Sequence, residues 1–336
     1  MNKLSPERIA VVQIGKLGDM ILTTPLFRKL KSIFPNAQLS VLASQNNSII
    51  AENDQYVDQV YTYTKKPLKD LKLFLSDLNK SSIWIDTKPE KSDTSGLFLK
   101  IFRPTLSLGY NHNDNQFDVD LTQHKSSEHA IDINLAPVNY FGKDVTDDDR
   151  RPELLVKEFV ERDQPGKFRN DKSAVLLVNV SAGKIGRQIE TDTWVEVITG
   201  IKNEIELNVI TICHPDDEAI VEEIYKITGA MHYETESILD AAAVINISDY
   251  VITPDTSIVH ICSALNKPVT AIYPNVDWNF RRFAPLSKYS ESVISDSPEI
   301  VKTIKPQKIV NAFMRLYSNV TSGNAESRTR VRKEDH

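Results

Sequence analysis

The feature that most limits what this chain can fold into is an alternation. Short, β-branched apolar runs at 9–14, 39–43, 59–63, 83–86, 174–180, 207–213, 250–253, 269–273 and 292–295 are separated by longer stretches with helical spacing. Leu22, Leu26, Leu30 and Ile33 fall on one helical face, and Leu68, Leu71, Leu75 and Leu78 fall on another. Strand–helix–strand alternation on this scale predicts an α/β chain of parallel sheets with crossover helices. The pattern breaks once, between about 110 and 172, where Asp, Asn, His and Lys are dense and Asp163-Gln164-Pro165-Gly166 reads as a turn. This divides the chain into a first domain at 1–165 and a second at 166–297. A closing helix or helix pair follows over 298–318. Residues 319–336, nearly without apolar side chains and carrying Arg328, Arg330, Arg332 and Lys333, read as a disordered tail.

Composition narrows the function. Hydrophobic residues at 40% supply two packed cores and exclude a disordered or collagen-like chain. A net charge of −6 argues against nucleic acid as the main partner. Cys213 and Cys262 each lie in an apolar run, which favours two reduced, buried thiols over a bridge. The charged start is no signal peptide, and no run approaches 18 apolar residues, so the expected location is the cytoplasm. The histidines show no zinc-ligand spacing, and no Gly-x-Ser-x-Gly elbow is present.

Two α/β halves side by side leave a cleft, and open parallel sheets bind ligands beyond the C-terminal ends of their strands. The loops after the strands are therefore the places to look. After the first run stands Gln13-Ile14-Gly15-Lys16-Leu17-Gly18-Asp19. Gly15 and Gly18 permit a tight turn and a close approach to a ligand. Asp19 is either a helix cap or a general base for a hydroxyl. Thr24-Pro25 beyond it marks either a second helix start or a kink. Late in the chain, Thr253-Pro254-Asp255-Thr256-Ser257-Ile258-Val259-His260 puts Asp255, Thr256 and Ser257 at a helix N-terminus suited to phosphate, with His260 one turn in. The plainer reading there is a helix cap followed by a core histidine. Ser181, Gly183, Lys184 and Arg187 follow the 174–180 run, as a diphosphate clamp or an exposed loop. After 207–213, the segment Cys213-His214-Pro215-Asp216-Asp217-Glu218 offers a carboxylate for ribose hydroxyls or, more plainly, an acidic helix start.

Three of these stretches together resemble the family 9 glycosyltransferases, the ADP-heptose:lipopolysaccharide heptosyltransferases. Gly18-Asp19 through Thr23-Thr24-Pro25 is similar to that family's Gly-Asp-x-x-x-Thr-x-Pro segment. Asp255-Thr256-Ser257 with His260, Ala264-Leu265 and Pro268 resembles its Asp-Thr-Gly-x-x-His-x-x-x-Ala-Leu-x-x-Pro signature, with Ser257 in place of the glycine. The stretch from Ser181 to Trp194 looks like a divergent form of its middle cationic loop, lacking the usual Lys-x-Trp-Pro.

The resemblance implies a GT-B fold, two Rossmann-like domains with parallel sheets facing a central cleft, and inverting transfer without a metal or other cofactor. It makes Asp19 the base and places Asp255, Thr256, Ser257 and His260 on the donor's diphosphate and sugar. Arg187 takes the place of the family's phosphate-binding Lys, and Glu218 that of its ribose-binding acid. The implied partners are a nucleotide-diphospho-sugar, ADP-heptose by expectation, and a lipopolysaccharide core or related lipid-linked saccharide at the inner face of the cytoplasmic membrane. Lys65, Lys66, Lys69 and Lys72 offer themselves to acidic lipid or phosphorylated sugar, or else form a solvated helix face. Two rivals share the architecture: a nucleotide-sugar epimerase, and a catalytically silent nucleotide- or sugar-binding protein of polysaccharide assembly.

Overall fold

The computed structural model of the chain describes residues 5–112, 114–122, 129–156, 173–183, 185–298, 301 and 304–334. It consists of two compact units that divide at Leu155 and Val156. The boundary expected at 165/166 lies outside the described residues.

In the first unit the order is β1 (Arg8–Gln13), α1 (Leu17–Ile21), α2 (Thr24–Ile33), β2 (Gln38–Ser44), α3 (Ser48–Glu52), β3 (Gln59–Tyr63), α4 (Pro67–Phe74), β4 (Ile83–Asp86), α5 (Asp93–Phe102), β5 (Leu106–Gly109), β6 (Val119–Asp120) and α6 (Ala130–Tyr140). The second unit runs β7 (Ala174–Asn179), α7 (Thr191–Glu204), β8 (Leu207–Ile212), α8 (Glu218–Thr228), β9 (Met231–His232), α9 (Ile238–Ile247), β10 (Tyr250–Pro254), α10 (Ser257–Leu265), β11 (Val269–Tyr273), α11 (Asp277–Phe283), β12 (Ser290–Ile294) and α12 (Pro306–Glu334).

All paired strands are parallel. The sheet orders are β3-β2-β1-β4-β5-β6 and β12-β11-β10-β7-β8-β9. Counted from the first strand of each unit, the two orders are identical, the doubly wound 3-2-1-4-5-6. Central strands buried on both faces must be apolar throughout, which is why Ile9–Val12 and Val175–Val178 are at most 4% exposed. Trp84 stacks on Phe102 at 5.2 Å to anchor the first core, whereas Trp194, Phe313 and Leu316 are buried in the second.

Helix ends follow local chemistry. Pro25 sits in the first turn of α2, and Pro35 follows its C-terminal Phe34. Thr24-Pro25 therefore opens a second helix, with Thr23 as its N-cap. Helix α8 stops at Gly229, which takes the left-handed φ of 69° that an L side chain resists.

Three regions depart from the sequence reading. The stretch read as a break contains β6 and α6. Helix α6 is buried nearly all round, from Ala130 to Val138, so it shows no polar face to mark its period. The closing helix does not stop at 318: α12 continues to Glu334, and Val320 beyond the expected end is 8% exposed within the second core. The face shared by Leu68, Leu71 and Leu75 points outward, at 92%, 55% and 75% exposure, and only Leu78 of that set is buried. No helix among the described residues is long and apolar enough to cross a membrane.

Candidate functional site

Strand order reverses between β1 and β4 in the first unit and between β7 and β10 in the second, and doubly wound sheets take ligands beyond the strand ends at such a reversal. Asp19, Arg187, Asp255, Thr256 and Ser257 follow the strands at these two positions, whereas Glu218 follows β8.

In the first unit, Asp19 is the third residue of α1 and is half-buried. Its Oδ2 accepts the Lys16 N–H at 2.9 Å, so Asp19 caps its own helix with one oxygen. A carboxylate has acceptor capacity beyond one bond, and the cap fixes its direction without consuming it. The segment beneath is held by buried polar groups. Gln13, ending β1, donates from Nε2 to Thr23 Oγ1 at 3.1 Å and to Thr87 Oγ1, just past β4, at 2.9 Å. Thr23 in turn donates to the Asp19 carbonyl at 2.8 Å, and Asn134 of α6 donates to Thr23 Oγ1 at 3.1 Å. From beyond β2, Asn47, fully buried, donates to the Gln13 carbonyl at 3.0 Å.

Neither Gly15 nor Gly18 has a left-handed φ. Gly15 instead leaves room for two side-chain ends: a Cβ there would stand 2.7 Å from Asp19 Oδ2 and 2.8 Å from Gln13 Oε1, and both would have to shift. Asp86, the last residue of β4 and beside Val12 of β1, is 2% exposed. Its Oδ1 accepts the Lys88 N–H at 3.0 Å, and burial, opposed by hydrogen bonds from the Ser95 side chain and the Lys88 backbone, pushes its carboxyl above the usual carboxylate range.

The second unit repeats the device. Asn179, ending β7, donates from Nδ2 to Thr253 Oγ1 at 3.0 Å and to Thr256 Oγ1 at 3.3 Å. It thereby ties the first strand to the fourth and to the start of α10, as Gln13 does across β1, β4 and α2. Thr256 is the N-cap of α10 and accepts from Ile258 N–H. Arg187 pairs with Asp255 Oδ2. The same oxygen accepts from Asn279 Nδ2 at 2.8 Å, and Arg187 Nη2 reaches Asn279 Oδ1 at 3.3 Å. The result is a three-member ring joining the post-β7 loop, the start of α10 and helix α11.

A second cluster lies beside it. Ser181 Oγ donates to Asp217 Oδ2 at 2.5 Å and accepts from His214 N–H at 2.7 Å, while Gln188 donates to Asp217 Oδ1 at 2.6 Å. Ser181 therefore fixes the loop with its hydroxyl, which is not left open as a phosphate donor. The acid tied to this loop is Asp217; Glu218, the first residue of α8, is exposed. Gly183 has open space where a Cβ would stand, so close approach within the chain does not demand glycine there.

Ser257 begins α10 in ordinary helical backbone, so this start needs no glycine conformation. His260 is 4% exposed with its ring 5.9 Å from that of Phe283, which is the core-histidine arrangement. Lys184 lies outside the described residues. Both cysteines are unbridged. Burial, with Asp217 and Glu218 nearby, pushes Cys213 up to about 11, so it is no thiolate nucleophile at neutral pH.

Sequence reasoning thus finds Asp19, Arg187, Asp255 and Thr256 at the switch points. It misses Asn179 and Asn279, single polar residues without spacing signatures, and gives no role of their own to Gln13 and Asp217, which lie within the segments it singles out. Strand-terminal position was the one signal available for Gln13, Asn179 and Asp86.

Comparison with known proteins adds a family. The model of glycosyltransferase family 9 (heptosyltransferase) matches residues 100–311. A Haemophilus influenzae protein provisionally named a glycosyltransferase is 22% identical over 296 residues, covering 80% of this chain and 83% of the relative. An Escherichia coli K12 protein provisionally named lipopolysaccharide heptosyltransferase 4 is 24% identical over 323 residues, covering 90% and 85%. The structure of E. coli ADP-heptose LPS heptosyltransferase II superposes with a TM-score of 0.71 at 17% identity, over 94% of this chain and 99% of that one. At that identity the likeness speaks for the fold, the α/β GT-B architecture of paired Rossmann-like units.

Proposed function

The chain belongs to glycosyltransferase family 9, the heptosyltransferase family, and from that premise we propose that it moves a heptose from ADP-heptose to a hydroxyl of a lipopolysaccharide core or related lipid-linked saccharide. Transfer inverts the anomeric centre and uses no metal. Asp19 takes the proton of the acceptor hydroxyl; the oxygen attacks C1 of the donor sugar on the face opposite the diphosphate. The C1–oxygen bond to the diphosphate breaks, and ADP leaves with the electron pair. Arg187 and the positive dipole end of α10 meet the charge that develops on the leaving group. Asp255 and Asn279 position the guanidinium for that task, and Asp217 takes the ribose role that the resemblance gave to Glu218.

The observation that carries this reading is the placement of a carboxylate at one switch point and an arginine beside a helix N-terminus at the other. Base and leaving-group stabiliser are the two groups that a direct displacement needs. The heptose and lipopolysaccharide assignments draw on the names of the E. coli relatives.

The test is ADP release from ADP-heptose with deacylated lipopolysaccharide core, for wild type and Asp19→Asn. Acceptor-dependent release that falls about 100-fold or more in the variant is the expected result. Conversion of ADP-heptose to an isomeric ADP-sugar without acceptor and without ADP release, undiminished in Asp19→Asn, would favour an epimerase. Thermal stabilisation by ADP with no release by either protein would leave a binding protein.

A further inference from the structure

Helix α4 is built the opposite way from most surface helices. Its inner side carries Asp70, at 2% exposure, and Leu73, at 5%, which packs against the aromatic cluster of Trp84, Phe98 and Phe102. Its outer side carries leucines. Positions 68, 71 and 75 follow i, i+3, i+7 spacing, so the three side chains make one stripe. Leu68 is 92% exposed, more than any other large apolar side chain among the described residues. Burying such a stripe in water-free surroundings is favourable, and contiguous exposed apolar surface on a folded protein marks an interaction site.

Charge identifies the partner. Lys65, Lys69 and Lys72 are exposed around the stripe, and Lys66 stands at the N-cap. The one acid of the helix is turned away from this surface. Asp70 Oδ1 accepts from the Thr64 N–H at 2.9 Å and the Thr64 hydroxyl at 2.8 Å, and Oδ2 accepts from the Lys66 N–H at 3.1 Å. The outer face of α4 is therefore apolar and cationic, with no carboxylate of its own. Lysines beside protruding leucines are the composition of helices that lie in a lipid interface, with amines at the phosphates and apolar side chains at the acyl boundary. At eight residues α4 is far too short to span a bilayer, but its length suits lying in the plane.

We propose that the outer face of α4 docks the first unit on an anionic phospholipid surface, with Leu68, Leu71 and Leu75 entering the interface and Lys65, Lys69 and Lys72 meeting lipid phosphates. The proposal deepens the reading of a lipid-linked acceptor and rests on it for its purpose, though not for its geometry.

The experiment floats the full chain with vesicles of phosphatidylcholine alone and of phosphatidylcholine with phosphatidylglycerol. It compares wild type with Leu68→Ser/Leu71→Ser/Leu75→Ser and with Lys65→Gln/Lys69→Gln/Lys72→Gln, while light scattering records oligomeric state. Wild type is expected to bind the anionic vesicles in low salt and release in high salt. Each triple variant should lower partitioning about tenfold or more with an unchanged thermal midpoint. Failure of wild type to bind anionic vesicles overturns the proposal, as does binding that neither triple variant weakens. A dimer that the leucine variant converts to monomer also overturns it, by showing a second copy on this face. Transfer to the deacylated, water-soluble acceptor is measured alongside. Vesicle binding without transfer would sink the transferase reading and leave the docking surface standing, and transfer without vesicle binding would do the reverse.

Discussion

Asp19 is positioned by contacts close enough that a single methyl group tests them. Alanine at position 15 would place its Cβ 2.7 Å from Asp19 Oδ2 and 2.8 Å from Gln13 Oε1. Both side-chain ends must shift, and on the role proposed for Asp19 a displaced base loses rate before the fold loses stability. Gly15→Ala should lower kcat about tenfold or more with donor KM nearly unchanged, which steady-state kinetics would show. Asp54 provides a pH test elsewhere in the unit. Burial, opposed by the Tyr56 N–H and raised further by Glu153, pushes its carboxyl from 3.8 to about 6. The folded chain then holds more protons than the unfolded one between those values, so stability falls as pH rises through that window. Asn at this position keeps the acceptor oxygen for Tyr56 and removes the charge. Asp54→Asn should therefore stabilise the protein by about 2 kcal/mol at pH 7. The advantage should vanish below about pH 4, as urea midpoints at the two pH values would reveal.

Secondary-structure elements differ in how openly the chain announces them. The centres of strands such as β1 and β7 are uninterrupted apolar runs because both faces are buried, and their positions are evident in the residues alone. Strand β5 reads Leu-Ser-Leu-Gly, and its partner β6 has two residues, too little pattern to register. Their pairing depends on a contact that no spacing rule describes. The Phe117 ring lies over Gly109 so closely that a Cβ there would meet ring carbons at 2.6 Å. Leu121 N–H also donates to the Gly109 carbonyl at 2.7 Å. Gly109→Ala should cost about 1–3 kcal/mol by forcing the ring out of place, measurable as a lowered denaturation midpoint. The site divides similarly: Asp19, Arg187, Asp255 and Thr256 stand in recognisable segments after strands, whereas Asn279 reaches Asp255 from a helix more than twenty residues downstream.

At the scale of the whole molecule, two units share one strand order and a similar clasp, a carboxamide at the end of the first strand that grips a threonine at the fourth strand and a helix N-cap threonine, that of the helix after the first strand in one unit and after the fourth in the other. The chemistry assigned to each clasp differs, and hydrogen exchange can separate them. ADP should protect amides at 179–188 and 253–258 and leave those at 13–19 at their unliganded rates. Protection confined to 13–19 would move the nucleotide to the first unit. The outward leucines of α4 carry a kinetic consequence as well. A protein held at a bilayer by one helical face searches for a membrane-anchored substrate by lateral diffusion in two dimensions. Its turnover then follows the number of acceptor molecules per unit area of membrane, and diluting the suspension at constant surface density leaves the rate per bound enzyme unchanged.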